Sequence, residues 1–326
     1  MKKNISSISI ILLLIVFIVS CKKEPVAGVN LDKFSMLIGV GKTDTLTATI
    51  VPSYAHNQKV EWESSDPNIA IVSNGVVTGK SAGNVMIVVV TEDGKRTAKC
   101  YVEVLQPIES EMVWVEGGTF IMGCQDDECI DNELPIHQVT LTGFYIAKYE
   151  TTQKEWIAIM GNNPSYHKGD LFPVEYASYD DMQKFIQRLN TVTEKNYRLP
   201  TEAEWEFAAR GGIKSKGFKY SGSNNIEDVT LLKEYTYPVG TKAPNELGIY
   251  DMSGNVYERC SDWYAPYTDT PQTNPQGPEN GTFRVFRGGS WYGIDTGAYK
   301  CRVAYRRIPV PVLIATANIG LRLVHP

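Results

Sequence analysis

Histidine is scarce in this chain. Only His56, His137, His167 and His325 occur in 326 residues. No two stand close together, so the sequence offers no histidine-built metal centre, and His137 and His167 read as loop residues rather than ligands. A basic surplus is also missing: 32 lysines and arginines face 37 acidic residues, for a net charge of −5. That balance lacks the electrostatic footprint of a nucleic-acid binder. Long apolar runs are confined to the start, where Ile8 to Val19 is apolar apart from Ser9, behind Lys2 and Lys3. The run is short for a membrane span and has the layout of an export signal, assigned to residues 1–20.

The end of the signal sets the compartment. Ile18-Val19-Ser20-Cys21 resembles a bacterial lipobox, in which Cys21 becomes the lipidated first residue. Several acyl chains on one cysteine give stable anchoring. The resemblance implies a cell-envelope protein held to the membrane by its lipid. Lys22 rather than Asp after the cysteine is compatible with the outer membrane. Residues 21–28 are then a short tether. Setting Cys21 aside leaves five of the six cysteines in an oxidising compartment. Cys124 and Cys129 can close a local ring, Cys260 and Cys301 can join two distant segments, and Cys100 is expected to be a buried free thiol. Spacing alone leaves the connectivity open.

Residues 29–105 read as a small all-β module. Thr45 to Ile50 alternates with period two, and Val60 with Trp62, Ile69 to Val72, Val76-Val77, Val85 to Val90 and Ala98 to Val104 supply further strands. Asn74-Gly75 and Asp93-Gly94 mark turns between them. The stretch Trp62-Glu63-Ser64-Ser65-Asp66-Pro67-Asn68-Ile69-Ala70, with Gly75 to Gly79 and Gly83, resembles the bacterial Ig-like group 2 domain. The resemblance implies a sandwich that serves as a spacer.

A linker at 106–111, containing Pro107, leads into residues 112–326, read as one loop-rich α+β domain. Three helix starts are legible from capping boxes or caps: Thr152 with Glu155, Ser178, and Thr201 with Glu204. Gly161 stops the first helix. Met182, Phe185, Ile186 and Leu189 give the second an apolar face. Trp205 in the third is expected in the core.

Four segments of this domain appear in a fixed order: Arg198 to Gly212, Asp251 to Glu258, Arg287 to Trp291, and Asn318 to Val324. Together they resemble the formylglycine-generating enzyme family, a variant of the C-type lectin fold. The fold class expected is therefore multidomain, an all-β Ig-like sandwich followed by an α+β formylglycine-generating-enzyme-like domain. The resemblance implies a structural Ca2+ held by Asp251, the carbonyls of Gly254 and Val256, and Glu258. It also implies a copper-binding cysteine pair shortly after Ser290. Those two positions are Gly293 and Ala298 here. Neither offers the soft ligand that Cu(I) prefers, so no copper is expected and catalysis by this family's route is disfavoured. Related iron enzymes of the same fold use histidines, which this chain lacks at suitable places.

The segment after Ser290 suggests binding instead. Tyr292, Gly293, Ile294, Asp295, Thr296, Ala298, Tyr299, Tyr305, Ile308, Val310 and Val312 are set among the framework residues Cys301, Arg302 and Arg306. From Cys301 to Pro326 there is no Lys, Glu, Gln, Met or Trp, the types that adenine mutation of an asparagine codon cannot reach. This is similar to the variable protein of a diversity-generating retroelement, and it implies a surface that binds a protein or glycan. An apolar run at Val310 to Ala315 would suit a contact site if exposed. An envelope or motility scaffold is the remaining alternative.

Overall fold

The computed structural model describes residues 23–231, 233–291, 297–307 and 316–326. Cys21, Tyr292, Gly293, Ile294, Asp295, Thr296, Ile308, Val310 and Val312 lie outside the described residues.

The first module contains β1 (Gly28–Leu31), β2 (Ser35–Gly39), β3 (Thr43–Thr45), β4 (Ala48–Val51), β5 (Val60–Ser64), β6 (Ala70–Ser73), β7 (Val76–Gly79), β8 (Gly83–Thr91) and β9 (Thr97–Leu105). A four-stranded sheet in the order β2-β9-β8-β5 accompanies the smaller groupings β3-β7-β6 and β1-β4. Alternation along β8 and β9 sends Val85, Ile87, Val89, Cys100, Val102 and Val104 inward, where they build the module's core. Cys100 is a free, buried thiol, as expected. Asn74 and Gly75 both take positive φ, 50° and 83°, which a two-residue hairpin between β6 and β7 demands. The run Thr45 to Ile50 differs from expectation. It is not one strand but splits between β3 and β4, because Leu46 turns its amide to Gly75 and Thr47 its carbonyl to Asp32.

The second module contains β10 (Met112–Val115), β11 (Gly118–Met122), β12 (His137–Leu141), β13 (Phe144–Ala147), α1 (Gln153–Met160), α2 (Tyr179–Thr193), α3 (Glu202–Ala209), the single turn α4 (Ile226–Val229), β14 (Tyr257–Trp263), β15 (Gln272–Thr273), β16 (Arg284–Arg287), β17 (Ile319–Gly320) and β18 (Val324–His325). Its strands form three three-stranded sheets, β10-β13-β18, β11-β12-β15 and β16-β14-β17. The expected caps are present. Thr152, Ser178 and Thr201 each accept the amide three residues on, and Glu155, Asp181 and Glu204 return the bond. Gly161 ends α1 at φ 72°. Met182, Phe185, Ile186 and Leu189 pack with Trp156, and Trp205 is fully buried in the neighbouring cluster. His137 is not a loop residue. It begins β12 and is buried.

So many short strands and loops need more than apolar contacts to hold them. Four buried arginines supply it. Arg287 pairs with Glu202 and Glu206, Arg302 with Glu133, Arg306 with Glu202, and Arg322 with Glu258. Each guanidinium forks onto a carboxylate from a distant segment, and those of Arg287, Arg306 and Arg322 also onto distant carbonyls, a geometry lysine does not match.

Candidate functional site

The loop before β14 is the expected ion site. Asp251 and Asn255 adopt φ of 60° and 54°, and Gly254 lies at 105°. A Cβ at Gly254 would sit 2.0 Å from Thr230 Oγ1, so only glycine fits there. Asp251 is buried; its Oδ2 accepts the Gly240 amide at 2.7 Å, whereas Oδ1 has no partner. Burial, together with nearby Glu258, pushes the Asp251 carboxyl up to about 6. Glu258 differs. Its two oxygens accept Arg322 Nε and Nη2 at 2.6–3.0 Å, and Oε2 also accepts Trp205 Nε1 at 2.7 Å. The fit to calcium is therefore partial: Asp251 has an oxygen to give, and Glu258 is committed to an internal cation. Sequence reasoning missed Glu150, whose carboxylate accepts Asn255 Nδ2 at 2.6 Å and the Val256 amide at 3.1 Å. Burial, with Asp251 and Glu258 beside it, holds the Glu150 carboxyl well above the usual range.

This loop is tied to the Gly-Gly-Ser turn. The Gly254 amide donates to Gly288 O at 2.7 Å, and the Trp291 amide donates to Asn255 O at 2.9 Å. Gly288 and Gly289 take φ of 94° and 76°, and a Cβ at Gly289 would lie 2.5 Å from Cys301 Sγ. Asn318 Nδ2 donates to Ser290 Oγ at 3.3 Å, and Trp291 Nε1 donates to Ala317 O at 3.0 Å. Thr316 O receives the Tyr176 amide at 3.1 Å. Three chain segments thus frame one place.

Those of its sequence-predicted residues that are described separate into two groups. Ala298 and Tyr299 start a 3-10 turn, Ala298–Cys301, and Tyr299 is exposed. Tyr305, expected at the surface, is only 6% exposed and belongs to the core. Its ring packs edge-on against Tyr299 at 5.6 Å, so it supports the surface from beneath. Cys124 and Cys129 form the expected disulfide. Cys260 and Cys301 do not pair. Both are free and buried, Cys260 among the residues around Trp205 and Cys301 against Tyr220 and Val229. Burial pushes the Cys301 thiol up to about 12 and the Cys260 thiol well above its usual value.

An aromatic rim that the sequence did not announce borders the frame. The His167 ring meets Tyr166 at 5.0 Å, Trp291 at 5.3 Å and Tyr235 at 6.4 Å. Beneath it, Glu175 accepts the Tyr166 and His167 amides through Oε1 at 2.5 and 2.9 Å. Glu175 Oε2 and His167 Nδ1 are buried without partners. Burial pushes the Glu175 carboxyl up to about 7.

Comparison with known proteins places this geometry. Residues 102–326 match the family described as the sulfatase-modifying factor enzyme 1-like domain, and residues 25–102 match the bacterial Ig-like domain, group 2. The chaperone protein LppX of Paenibacillus barcinonensis is 35% identical over 238 residues, covering 56% of this chain and 79% of LppX. The formylglycine-generating enzyme of Thermomonospora curvata is 29% identical over 292 residues, covering 67% of this chain and 94% of the enzyme. At 31% identity, the chain spans only 37% of the length of the serine/threonine-protein kinase Pkn1 of Chlamydia trachomatis. Among solved structures, Treponema denticola variable protein 1 superposes with a TM-score of 0.60 at 28% identity, covering 66% of this chain and 94% of that one.

Proposed function

This chain belongs to the sulfatase-modifying factor enzyme 1-like family, and on that footing we propose that it is a lipid-anchored envelope protein whose family domain binds a protein or glycan and does not carry out the family oxidation. The observation that carries the reading is one of substitution within an intact frame. By the family resemblance, the positions of the enzyme's two thiols fall at Gly293 and Ala298 in this chain. In the described framework, the turn at Gly288 and Gly289, the Ser290–Asn318 bond and the Glu258–Arg322 pair are all in place. The likeness to a variable protein of Treponema denticola supports changeable side chains on a fixed scaffold. The likeness to a protein named as a chaperone favours a protein ligand over a glycan.

The test compares wild type with a Tyr292→Ala, Tyr299→Ala double variant on arrays of envelope proteins and glycans. Binding should be lost while the melting temperature stays within a few degrees. Binding retained by the double variant would remove the reading. The likeness to a formylglycine-generating enzyme favours oxidation as the second reading. Incubation with a Cys-x-Pro-x-Arg peptide and copper should give no aldehyde, and clear turnover would establish the enzyme instead.

Calcium remains part of the proposal in altered form. Asp251 Oδ1 is the one side-chain oxygen of the expected set left without a partner, and it would hold the ion with loop carbonyls. The ion's role there would be to fix the loop.

A further inference from the structure

A cavity of about 340 Å³, with no lining residue from the Gly-Gly-Ser frame, lies between the start of α3, the end of β14 and the loop after it. Its walls combine apolar residues, Met122, Ala203, Trp263 and Pro278 among them, with the polar side chains of Thr268, Gln272 and Gln276. Its polar end is Asp262, which is only 5% exposed. Asp262 Oδ2 is used: it accepts the Glu202 amide at 3.0 Å and the Ser261 hydroxyl at 3.1 Å. Among the described residues, no donor reaches Oδ1 and no cation pairs with the carboxylate. The other charges here are matched. Arg306 gives its donors to Glu202, Asn132 O and Ala265 O, and Arg287 pairs with Glu202 and Glu206. Arg198 is engaged by Glu204. His137, on the same wall, donates from Nδ1 to Pro135 O at 3.2 Å, which leaves Nε2 as an acceptor.

We propose that this cavity binds a small organic amine as its ammonium ion, with Asp262 as counter-ion, His137 Nε2 as a second acceptor and the apolar walls around the carbon skeleton. An apolar pocket with a few convergent polar groups is the usual form of a small-molecule site. A buried carboxylate without a cation is costly until a ligand supplies one. The cavity would bind its amine whatever occupies the frame near Ser290.

Burial, with the Glu202 carboxylate beside it, pushes the Asp262 carboxyl up to about 7. Glu204 adds to this, and His137, Arg198, Arg306, Tyr267 and Cys260 are the other titratable or charged groups around it. An ammonium needs the ionised form, so affinity should rise by about tenfold between pH 6 and pH 8. The probes are benzylamine and its neutral isostere benzyl alcohol, titrated calorimetrically into the full chain. Benzylamine should bind at pH 8 at least tenfold more tightly than benzyl alcohol. Asp262→Asn keeps an acceptor for the Glu202 amide and should abolish that preference. Equal binding of the two probes, a flat pH profile in the wild type, or an unchanged Asp262→Asn variant would each overturn the proposal.

Discussion

Arg322 shows how single residues hold a domain with little regular structure. It has no solvent exposure and joins β14 to β13 through Glu258 and the Ala147 carbonyl. Removing one partner of a buried pair leaves the other charge stranded, at a cost of about 3–5 kcal/mol. Arg322→Met should therefore lose that much in urea unfolding; a loss under about 1 kcal/mol would mean that the pair is not structural. Glu175 gives a prediction of opposite character. Folded, it keeps its proton up to about pH 7, against an ordinary value of 4.5. The stability contributed by its neutral form is complete below about pH 4.5 and is lost as the pH rises through 7, because the unfolded chain releases the proton first. Asp262 acts in the same direction. Melting temperature should fall from pH 5 to pH 8, and Glu175→Gln should flatten that slope. A slope unchanged in the variant would assign it elsewhere.

At the scale of elements, the turn Ala298–Cys301 separates two roles that look alike in sequence. Tyr299 is exposed and Tyr305, in the segment after the turn, is buried. Tyr299→Ala should leave stability within about 0.5 kcal/mol. Tyr305→Ala should cost about 3–5 kcal/mol, as for other buried aromatic truncations. Denaturant midpoints decide between them, and similar costs would return Tyr305 to the surface. This contrast marks where the sequence was readable. Helices α1, α2 and α3 were legible because a capping box is a local signal, and Thr152, Ser178 and Thr201 carry it within four residues. Strands β5 to β9 were legible because one buried face imposes a period of two. The Asp251 loop was found through resemblance, but Glu150 and Arg322 were not assigned to it, since they lie 101 residues before and 71 after Asp251 in the numbering. Cys260 and Cys301 have a plausible spacing for a bridge, and only packing reveals that each fills a different part of the core. Glu175 reads as an ordinary loop acid until the fold buries it.

For the molecule as a whole, the first question is how it is held. If Cys21 carries the lipid, Cys21→Ser should move the protein from the detergent phase to the aqueous phase of a Triton X-114 separation. Among the described residues no helix is long and apolar enough to cross a membrane, so an unchanged partition would have to come from another attachment. The second question is whether the first module is a loose spacer. Contacts across the junction argue that it is fixed. Leu37 and Leu105 pack against the core that contains α2. Arg188 bonds Glu103 at 2.7 Å, and Lys42 meets Glu194 at 2.5 Å. The linker is pinned as well: Glu109 is bound by Lys195 and Tyr197, Ser110 donates to Glu155, and Glu111 O accepts the Lys148 amide. Exposed ion pairs of this kind contribute under about 1 kcal/mol each, so the close approach of backbones matters more. Gly39 is the tightest point, where a Cβ would stand 2.4 Å from Val192 O. Gly39→Ala should push the modules apart without adding bulk to either core. Calorimetry should then resolve two transitions where the wild type is expected to show one, and a glutamate-specific protease should cut after Glu109 and Glu111, sites expected to be protected in the wild type. Lys42→Glu, which faces Glu194, should do the same more weakly. Rapid cleavage of the wild-type linker would mean that the first module swings freely relative to the second.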